Sequence, residues 1–313
     1  MSVCRPRPRA LPAPMAKKRR TLIIKIGAAG DVLRTTPLLH KLSGDAVTWV
    51  TGRTALPLLA GNPRIARALT PGGFSRINGE KFDWVINFDE SAAACRIASA
   101  ARAPRKTGAR LDRGKPVYCE SSAPWFDMSL ISRHGIPAAD KLKYRARKSY
   151  QDYLFEACGF KFAGEEYFLP TAPAGALAPL VAVEKRAGPK WPLKHWPGYC
   201  NLTALFRKNH INFFILRQRK NLRDYISDIG RCTLLVSGDT LAMHLALALR
   251  KSAVAIFNCT SPWEIYGYGR LSKVVNPGLA GMFYSRRAFD GKGTHVAPQT
   301  VLRAVLKAAA RTP

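Results

Sequence analysis

The chain has 313 residues, of which 47% are hydrophobic, so it is long enough for two domains with separate cores and too apolar to be disordered. It carries 50 Lys and Arg against 20 Asp and Glu, a net charge of +30 that favours anionic partners such as phosphorylated substrates, nucleic acid or an anionic membrane face. No apolar stretch reaches the ~20 residues of a transmembrane helix, and the seven scattered cysteines without a CxxC pair argue against a zinc site and a disulfide scaffold.

The first twenty residues are basic and contain no acidic residue. They also lack the apolar core of a secretion signal. We expect residues 1–20 to form a disordered basic tail that takes no part in the fold.

Strand and helix patterns alternate along the first half of the chain, which favours an α/β domain with a parallel sheet. The predicted elements are strands over 21–26, 46–51 and 84–88, a helix over 32–42 that Pro37 should kink, and a helix that begins at Pro57. The region 104–145 is rich in Arg, Lys, Gly and Pro, and we predict long loops there.

A similar alternation follows after a helix predicted over 150–158, with Gly159 as its stop, and a Pro- and Ala-rich linker over 170–179. The later predictions are strands over 180–183, 211–216, 234–237 and 253–257, and helices over 197–208, 222–229, 240–250 and 299–310. We therefore expect one domain over 21–170 and a second over 180–313.

The turn Gly27-Ala-Ala-Gly30-Asp31 directly follows the first predicted strand. Small residues there let a substrate approach the backbone, and the following helix N-terminus favours anions. The spacing fits neither a dinucleotide fingerprint nor a P-loop. Asp31 could act as a general base at the carboxyl edge of the sheet or merely cap the helix, and its position alone leaves both open.

A second group of polar residues follows the strand at 234–237. Asp239 is placed to cap the next helix, and Thr240 and His244 lie four residues apart on one helix face. A hydroxyl, an imidazole and backbone N–H groups at a helix N-terminus suit a diphosphate. The alternative is a capping Asp and a His that packs in the core.

Two further segments carry polar groups at predicted sheet edges. Lys190 and Lys194 lie among tryptophans ahead of a helix, and either could supply a point charge for phosphate or belong to a solvated basic turn. Thr260 and Ser261 follow a predicted strand and could line a nucleotide pocket or form a turn.

Three of these segments together resemble glycosyltransferase family 9, the ADP-heptose:lipopolysaccharide heptosyltransferases. The opening TLIIKIGAAGDVLRTTPLLHKL is similar to the family's first strand, small-residue loop and helix. KWPLKHWP is similar to its Lys-x-Trp-Pro segment, and VSGDTLAMHLALAL with AVAIFNCTSPWEIYGYG to its donor-site signature. The motifs occur in family order and span residues 21 to about 270.

The resemblance implies a GT-B fold, in which two Rossmann-like α/β domains face each other across a cleft. It implies an N-terminal acceptor domain (21–170) and a C-terminal domain (180–313) that binds the nucleotide sugar. The expected reaction transfers a heptose from ADP-heptose to the lipopolysaccharide inner core, with inversion and without a metal or other cofactor. The expected partners are the nucleotide sugar and an anionic glycolipid, with a cytoplasmic location and an option of peripheral binding to the inner membrane face.

Residue by residue, the resemblance implies a general base and two sets of binding residues. Asp31 matches the proposed base. Residues expected on the donor or its phosphates are Lys190 or Lys194, Asp239, Thr240, His244, Thr260 and Ser261. Residues expected in the loop on the acceptor side are Gly27, Gly30, Thr35 and Thr36.

The chain also departs from the family pattern. Leu241 and Ala242 stand where the family often has Gly-Pro, and Val183-Glu184-Lys185-Arg186 replaces a Pro-Gly turn. The departures leave another nucleotide sugar or acceptor, or an inactive member, as alternatives. No helix-turn-helix, RNA-recognition signature or zinc spacing accompanies the basic charge, so we expect no specific nucleic acid partner.

Overall fold

Two β-sheets with flanking helices make up the computed structural model of the protein, which describes residues 18–77, 79–170, 179–285, 287 and 294–311. Residues 1–17 of the predicted basic tail and residues 171–178 of the predicted linker lie outside the described residues. The prediction that the whole range 1–20 takes no part in the fold was wrong at its end, because the first strand begins at Arg20 and Arg19 pairs with Asp45 at 2.9 Å. Among the described residues, no helix combines the length and the apolar character that crossing a membrane requires.

The first sheet has six strands in the order β3-β2-β1-β4-β5-β6. They are β1 (Arg20–Ile24), β2 (Ala46–Val50), β3 (Arg67–Leu69), β4 (Trp84–Asn87), β5 (Arg105–Asp112) and β6 (Lys115–Tyr118). The first five pair in parallel, in the order of a Rossmann unit, and β6 is antiparallel to β5. Leu22, Ile23 and Ile24 are completely buried or nearly so, because helices cover both faces of a parallel sheet.

Among the described residues of this first part of the chain, there are seven α-helices. They are α1 (Ala29–Thr35), α2 (Leu56–Leu59), α3 (Pro71–Ser75), α4 (Ala92–Ala100), α5 (Ala123–Phe126), α6 (Ile136–Arg145) and α7 (Tyr150–Ala157). The helix predicted over 32–42 begins earlier, at Ala29, and continues as a 3₁₀ helix over Thr36–His40. Pro37 has no N–H to donate, which agrees with the predicted kink.

The prediction of long loops over 104–145 was wrong. This region forms the β5–β6 hairpin and helices α5 and α6. Composition misled the prediction because the charged ends of some of these basic side chains find partners in the folded structure. Lys106 Nζ donates to the carbonyls of Ala98 and Ser99 at 3.0 Å, and the Arg105 guanidinium lies 3.8 Å from the centre of the Trp84 ring.

The second sheet has five parallel strands in the order β11-β10-β9-β7-β8. They are β7 (Val181–Glu184), β8 (Phe213–Ile215), β9 (Leu234–Gly238), β10 (Ser252–Phe257) and β11 (Leu271–Val275). The accompanying helices are α8 (Tyr199–Lys208), α9 (Leu222–Gly230), α10 (Leu241–Ala248), α11 (Leu279–Met282) and α12 (Pro298–Ala309). This strand order is the other common doubly wound arrangement, so the two sheets are similar in architecture without being copies.

Helices α1 and α10 pack against each other and join the two halves of the molecule. Gly30 of α1 lies directly against the ring of His244 in α10. A methyl group added at Gly30 would lie 2.8 Å from His244 Cδ2, which is closer than van der Waals contact allows. The largest apolar cluster runs through this contact, with Val32 and Leu33 on one side and Met243 and Leu247 on the other.

A segment over residues 160–170, called here the connecting segment, is bonded to both halves of the molecule. Towards the first half, Glu165 forms an ion pair with Lys41 at 2.6 Å, and the Glu166 carbonyl lies 3.0 Å from His40 Nε2. Towards the second half, Tyr268 Oη donates to the Glu165 carbonyl at 3.1 Å, and Arg270 pairs with Glu166. These bonds fix the segment between the two sheets.

The contact at Gly30 predicts an unusual response to a small substitution. Gly30→Ala should destabilise the protein by about 1–3 kcal/mol, although Ala favours a helix, because the methyl group collides with a completely packed ring. Chemical denaturation measures this change. Gly44→Ala is the matched control, since no atom lies within 4 Å of the added carbon. Equal stability of the two variants would contradict tight packing of α1 on α10.

Candidate functional site

A cleft of about 1310 Å³ lies where the strands of both sheets end at their carboxyl edges. Its walls include the segments that follow four buried strands: residues 27–31 after β1, 88–91 after β4, 186–190 after β7 and 239–242 after β9. Parallel strands deliver their following loops to one edge, so polar groups far apart in sequence meet there. The volume exceeds that of a typical small-molecule pocket and suits an extended ligand.

Asp31 lies in the first turn of α1, and its side chain is 36% exposed in the cleft. Ala28, not Asp31, occupies the cap position, and the Asp31 carboxylate instead pairs with Arg34 Nη2 at 3.0 Å. Burial alone would raise the pKa of Asp31, but the charges of Arg34 and Lys25 hold it well below its ordinary value. Asp31 is therefore a fully ionised carboxylate that can accept a proton from a bound ligand.

The loop that carries Asp31 is held by Asp89, a residue that the sequence did not single out. Asp89 Oδ2 accepts hydrogen bonds from the backbone N–H groups of Ile26 at 3.0 Å and Gly27 at 2.7 Å. Beside it, the buried Lys25 Nζ donates to the Phe88 carbonyl at 2.6 Å. The position of Asp89 just after a predicted strand was the available signal.

Arg34 was also missed, and it connects the two sides of the cleft. It is 9% exposed, its guanidinium lies 4.2 Å from the centre of the Tyr150 ring, and its Nη1 lies 3.5 Å from the Glu264 carboxylate. Lys143 approaches the same carboxylate at 3.6 Å, and Tyr284 Oη donates to it at 2.9 Å. Glu264 comes from the second half of the chain, so this ion group bridges the cleft.

Opposite the Asp31 loop, three predicted donor-side residues form one hydrogen-bonded group. Lys194 Nζ donates to the carboxylate and to the backbone carbonyl of Asp239, both at 2.8 Å, and Thr260 Oγ1 donates to the same carboxylate at 2.8 Å. Burial opposes ionisation of Asp239, but the neighbouring Lys194 and His244 keep its pKa below the ordinary value. The group is a buried, charged anchor.

The predicted capping role of Asp239 was wrong. The cap position of α10 belongs to Thr240, and no side chain caps this helix. Asp239 turns instead towards Lys194 and Thr260, because a partly buried lysine is a stronger partner for a carboxylate than a backbone N–H.

Two buried hydroxyl groups on the cleft wall lack partners within the described part of the chain. They are Thr240 Oγ1, at the N-terminus of α10, and Ser261 Oγ, in the loop after β10. An unpaired buried hydroxyl costs free energy, and a ligand with acceptor oxygens would remove that cost. Together with the N-terminus of α10, these donors suit an anionic group.

His244 is buried in α10 beside this position and also lines the cleft. Burial, together with the charge of the nearby Arg34, lowers the pKa of His244 to about 4. The ring is therefore neutral near pH 7 and can donate one N–H.

The two candidate lysines differ in their surroundings. Lys194 is only 19% exposed and is fixed by Asp239, whereas Lys190 is exposed at the rim of the same cleft. Gly27 and Gly30 line the cleft.

Thr35 and Thr36 do not line the cleft, contrary to their predicted place in a loop on the acceptor side. Both are buried at the junction between α1 and the 3₁₀ helix. Thr35 Oγ1 donates to the Asp31 carbonyl at 2.7 Å, and Thr36 Oγ1 accepts from the Phe168 N–H at 2.9 Å. They hold the helix and the connecting segment in place.

Within the described residues, no group of three or more His, Cys, Asp or Glu side chains is arranged to hold a metal ion.

Comparison with known proteins identifies relatives of this fold. Residues 201–280 match the family model of glycosyltransferase family 9 (heptosyltransferase). The family 9 glycosyl transferase from Veillonella parvula DSM 2008 is 16% identical, with a TM-score of 0.66 over 95% of this chain and 99% of that chain. Among curated proteins, no sequence matches this chain significantly.

Two E. coli heptosyltransferases are similar in structure. WaaC, solved with ADP-2-deoxy-2-fluoro heptose, is 17% identical, with a TM-score of 0.62 over 92% of this chain and 99% of that chain. ADP-heptose LPS heptosyltransferase II is 14% identical, with a TM-score of 0.58 over 93% and 99%. At these identities the likeness establishes the shared GT-B fold. The family match over residues 201–280 agrees with the resemblance to glycosyltransferase family 9 found in the sequence.

Proposed function

We propose that the protein transfers a heptose from ADP-heptose to the lipopolysaccharide inner core, with inversion, with Asp31 as general base and without a metal cofactor. The observation that carries this proposal is the contact between α1 and α10. It places the Asp31 loop beside the Lys194–Asp239–Thr260 group in one cleft. The heptosyl donor in the structure of WaaC supports the choice of ADP-heptose.

The donor side of the cleft is suited to a diphosphate. The N-terminus of α10, the unpaired hydroxyls of Thr240 and Ser261, the neutral His244 and the cation of Lys194 all offer donors on one wall. Negative charge accumulates on the diphosphate as it leaves the sugar. Donors already in place stabilise that charge without rearranging, which lowers the barrier.

Asp31 would act on the acceptor. The acceptor oxygen attacks the anomeric carbon from the face opposite the diphosphate, the bond to the diphosphate oxygen breaks, and the acceptor proton passes to Asp31. Attack from the opposite face inverts the configuration of that carbon. The ion pair with Arg34 keeps the carboxylate ionised and ready to take the proton.

We further propose that residues 21–170 form the acceptor domain and residues 180–313 the donor domain. Asp31 comes from the former range and the Lys194–Asp239–Thr260 group from the latter.

An anionic glycolipid at the inner face of the cytoplasmic membrane is the acceptor that we propose. The net charge of +30 supports an anionic partner. Four of the eight exposed large hydrophobic side chains in the described ranges lie within or just before α6, which also exposes Lys141 and Arg145. Apolar and basic groups together suit the surface of an anionic bilayer. The four are Leu130, Ile136, Leu142 and Tyr144.

Selective binding of the donor tests the proposed substrate. Calorimetry should show ADP-heptose binding at least about 10-fold more tightly than ADP-glucose, UDP-glucose or GDP-mannose, and turnover should follow the same order. Preference for another nucleotide sugar would replace the proposed donor. A folded protein that binds none of them would overturn the proposal.

Two lysine variants test which lysine contacts the phosphates of the nucleotide. Lys194→Gln should weaken ADP binding about 10- to 100-fold, since it removes a fixed charged donor, whereas Lys190→Gln, at the exposed rim, should change it less than about 3-fold. Titration calorimetry of both variants at two salt concentrations gives the comparison. The reverse order would place Lys190 on the phosphate.

Loss of the base should separate binding from chemistry. Asp31→Asn should bind the donor within about 2-fold of the unsubstituted protein and lose at least about 100-fold in kcat, because the amide cannot take a proton. Glu90 is a second carboxylate on the cleft wall, so Glu90→Gln is the control and should keep the kcat of the unsubstituted protein. Comparable turnover of Asp31→Asn and the control would remove Asp31 from the base role.

A further inference from the structure

A tyrosine of the connecting segment, Tyr167, contacts His244 on the donor side of the cleft. Tyr167 is 7% exposed, and its hydroxyl oxygen lies 3.1 Å from His244 Nδ1. On its other side, Gln151 Nε2 of α7 donates to the same oxygen at 3.4 Å. Gln151 belongs to helix α7 of the first half, Tyr167 to the connecting segment and His244 to helix α10 of the second half.

The number of hydrogen atoms on Gln151, Tyr167 and His244 restricts which of these groups donates each hydrogen bond. The Gln151 amide donates into the phenol oxygen, so the single phenol hydrogen is free to point at His244. A neutral imidazole has one N–H and one bare nitrogen. If Nδ1 accepts the phenol hydrogen, the ring proton must reside on Nε2.

The Nε2 edge of the ring faces the opposite way, towards the Asp31 loop. A carbon added at Gly30 would lie 3.5 Å from Nε2. Within the described residues no hydrogen bond to Nε2 is found, and His244 lines the cleft. A proton on Nε2 is therefore available to a ligand, whereas a proton on Nδ1 would be donated to the hydroxyl oxygen of Tyr167.

We propose that Tyr167 is a positioning residue that holds His244 in the Nε2–H tautomer, so that the neutral ring donates a hydrogen bond to the leaving diphosphate. The role of the diphosphate rests on the proposed function, whereas the tautomer does not. Tyr167 itself touches no substrate, and it acts only through the ring. Because Tyr167 lies on the connecting segment, the proton of a donor-side histidine is set by a residue outside the second sheet.

Nitrogen-15 NMR of the ligand-free protein, labelled at histidine, tests the tautomer directly. At pH 7.5 we expect His244 Nδ1 to show the shift of an acceptor nitrogen and Nε2 that of a protonated one. In Tyr167→Phe the two shifts should move towards each other as the second tautomer becomes populated. A protonated Nδ1 in the unsubstituted protein, or unchanged shifts in Tyr167→Phe, would overturn the proposal.

Tyr268→Phe is the matched control. Tyr268 packs against Tyr167 with ring centres 5.3 Å apart, but its hydroxyl donates to the Glu165 carbonyl and not to His244. Loss of this hydroxyl should leave the His244 shifts unchanged. If both variants shift His244 alike, the effect comes from packing, and Tyr167 loses its positioning role.

Kinetics then connect the tautomer with transfer. Tyr167→Phe should lower kcat about 5-fold, the equivalent of one neutral hydrogen bond, with the KM for the donor within about 2-fold, because the interaction matters most as charge develops on the diphosphate. An unchanged kcat would remove the link to the leaving group. A protein that binds no nucleotide sugar would defeat the proposed function, while the NMR result would still decide the tautomer.

Discussion

The absence of a side chain at Gly30 is the constraint on which the site depends. Helices α1 and α10 approach so closely that a single methyl group at this position would collide with the His244 ring. That approach lets one cleft contain both an ionised carboxylate from the first sheet and a set of hydrogen-bond donors from the second. A reaction between two bound molecules needs such proximity, because orientation removes much of the entropic barrier.

The charges around the cleft are arranged in compensating pairs. Asp31 pairs with Arg34, Asp239 with Lys194, and Glu264 with Arg34 and Lys143. For Asp31 and Asp239, the neighbouring cations hold the pKa of the carboxylate below its ordinary value, although burial alone would raise it. In the proposed reaction, Asp31 would be a weak but always ionised base, so the chemistry would depend on the acceptor hydroxyl becoming acidic as its bond to the sugar forms.

Local patterns in the sequence predicted most strands, the kink at Pro37 and the segments that line the cleft. They failed where a contact between distant residues decides the outcome. Asp239 looked like a helix cap because Lys194, 45 positions away, is invisible to a local rule. Glu264 lies 230 positions from Arg34, and Tyr167 lies 77 from His244, so neither pair leaves a spacing signal. Basic composition concealed the β5–β6 hairpin, because Arg105 and Lys106 find their partners only in the folded structure.

In the proposed function, the unpaired hydroxyls of Thr240 and Ser261 would select against ligands that lack phosphate oxygens. A nucleoside without phosphates displaces solvent from the cleft but has no phosphate oxygen to accept hydrogen bonds from these two hydroxyls. The free-energy cost of burying the hydroxyls unpaired therefore remains. Sites that are built to hydrogen-bond a ligand discriminate against analogues lacking the matching group far more strongly than apolar pockets do. Free adenosine carries the same base as the proposed donor, ADP-heptose, but has no phosphate. It should therefore be a poor competitor for binding in this cleft.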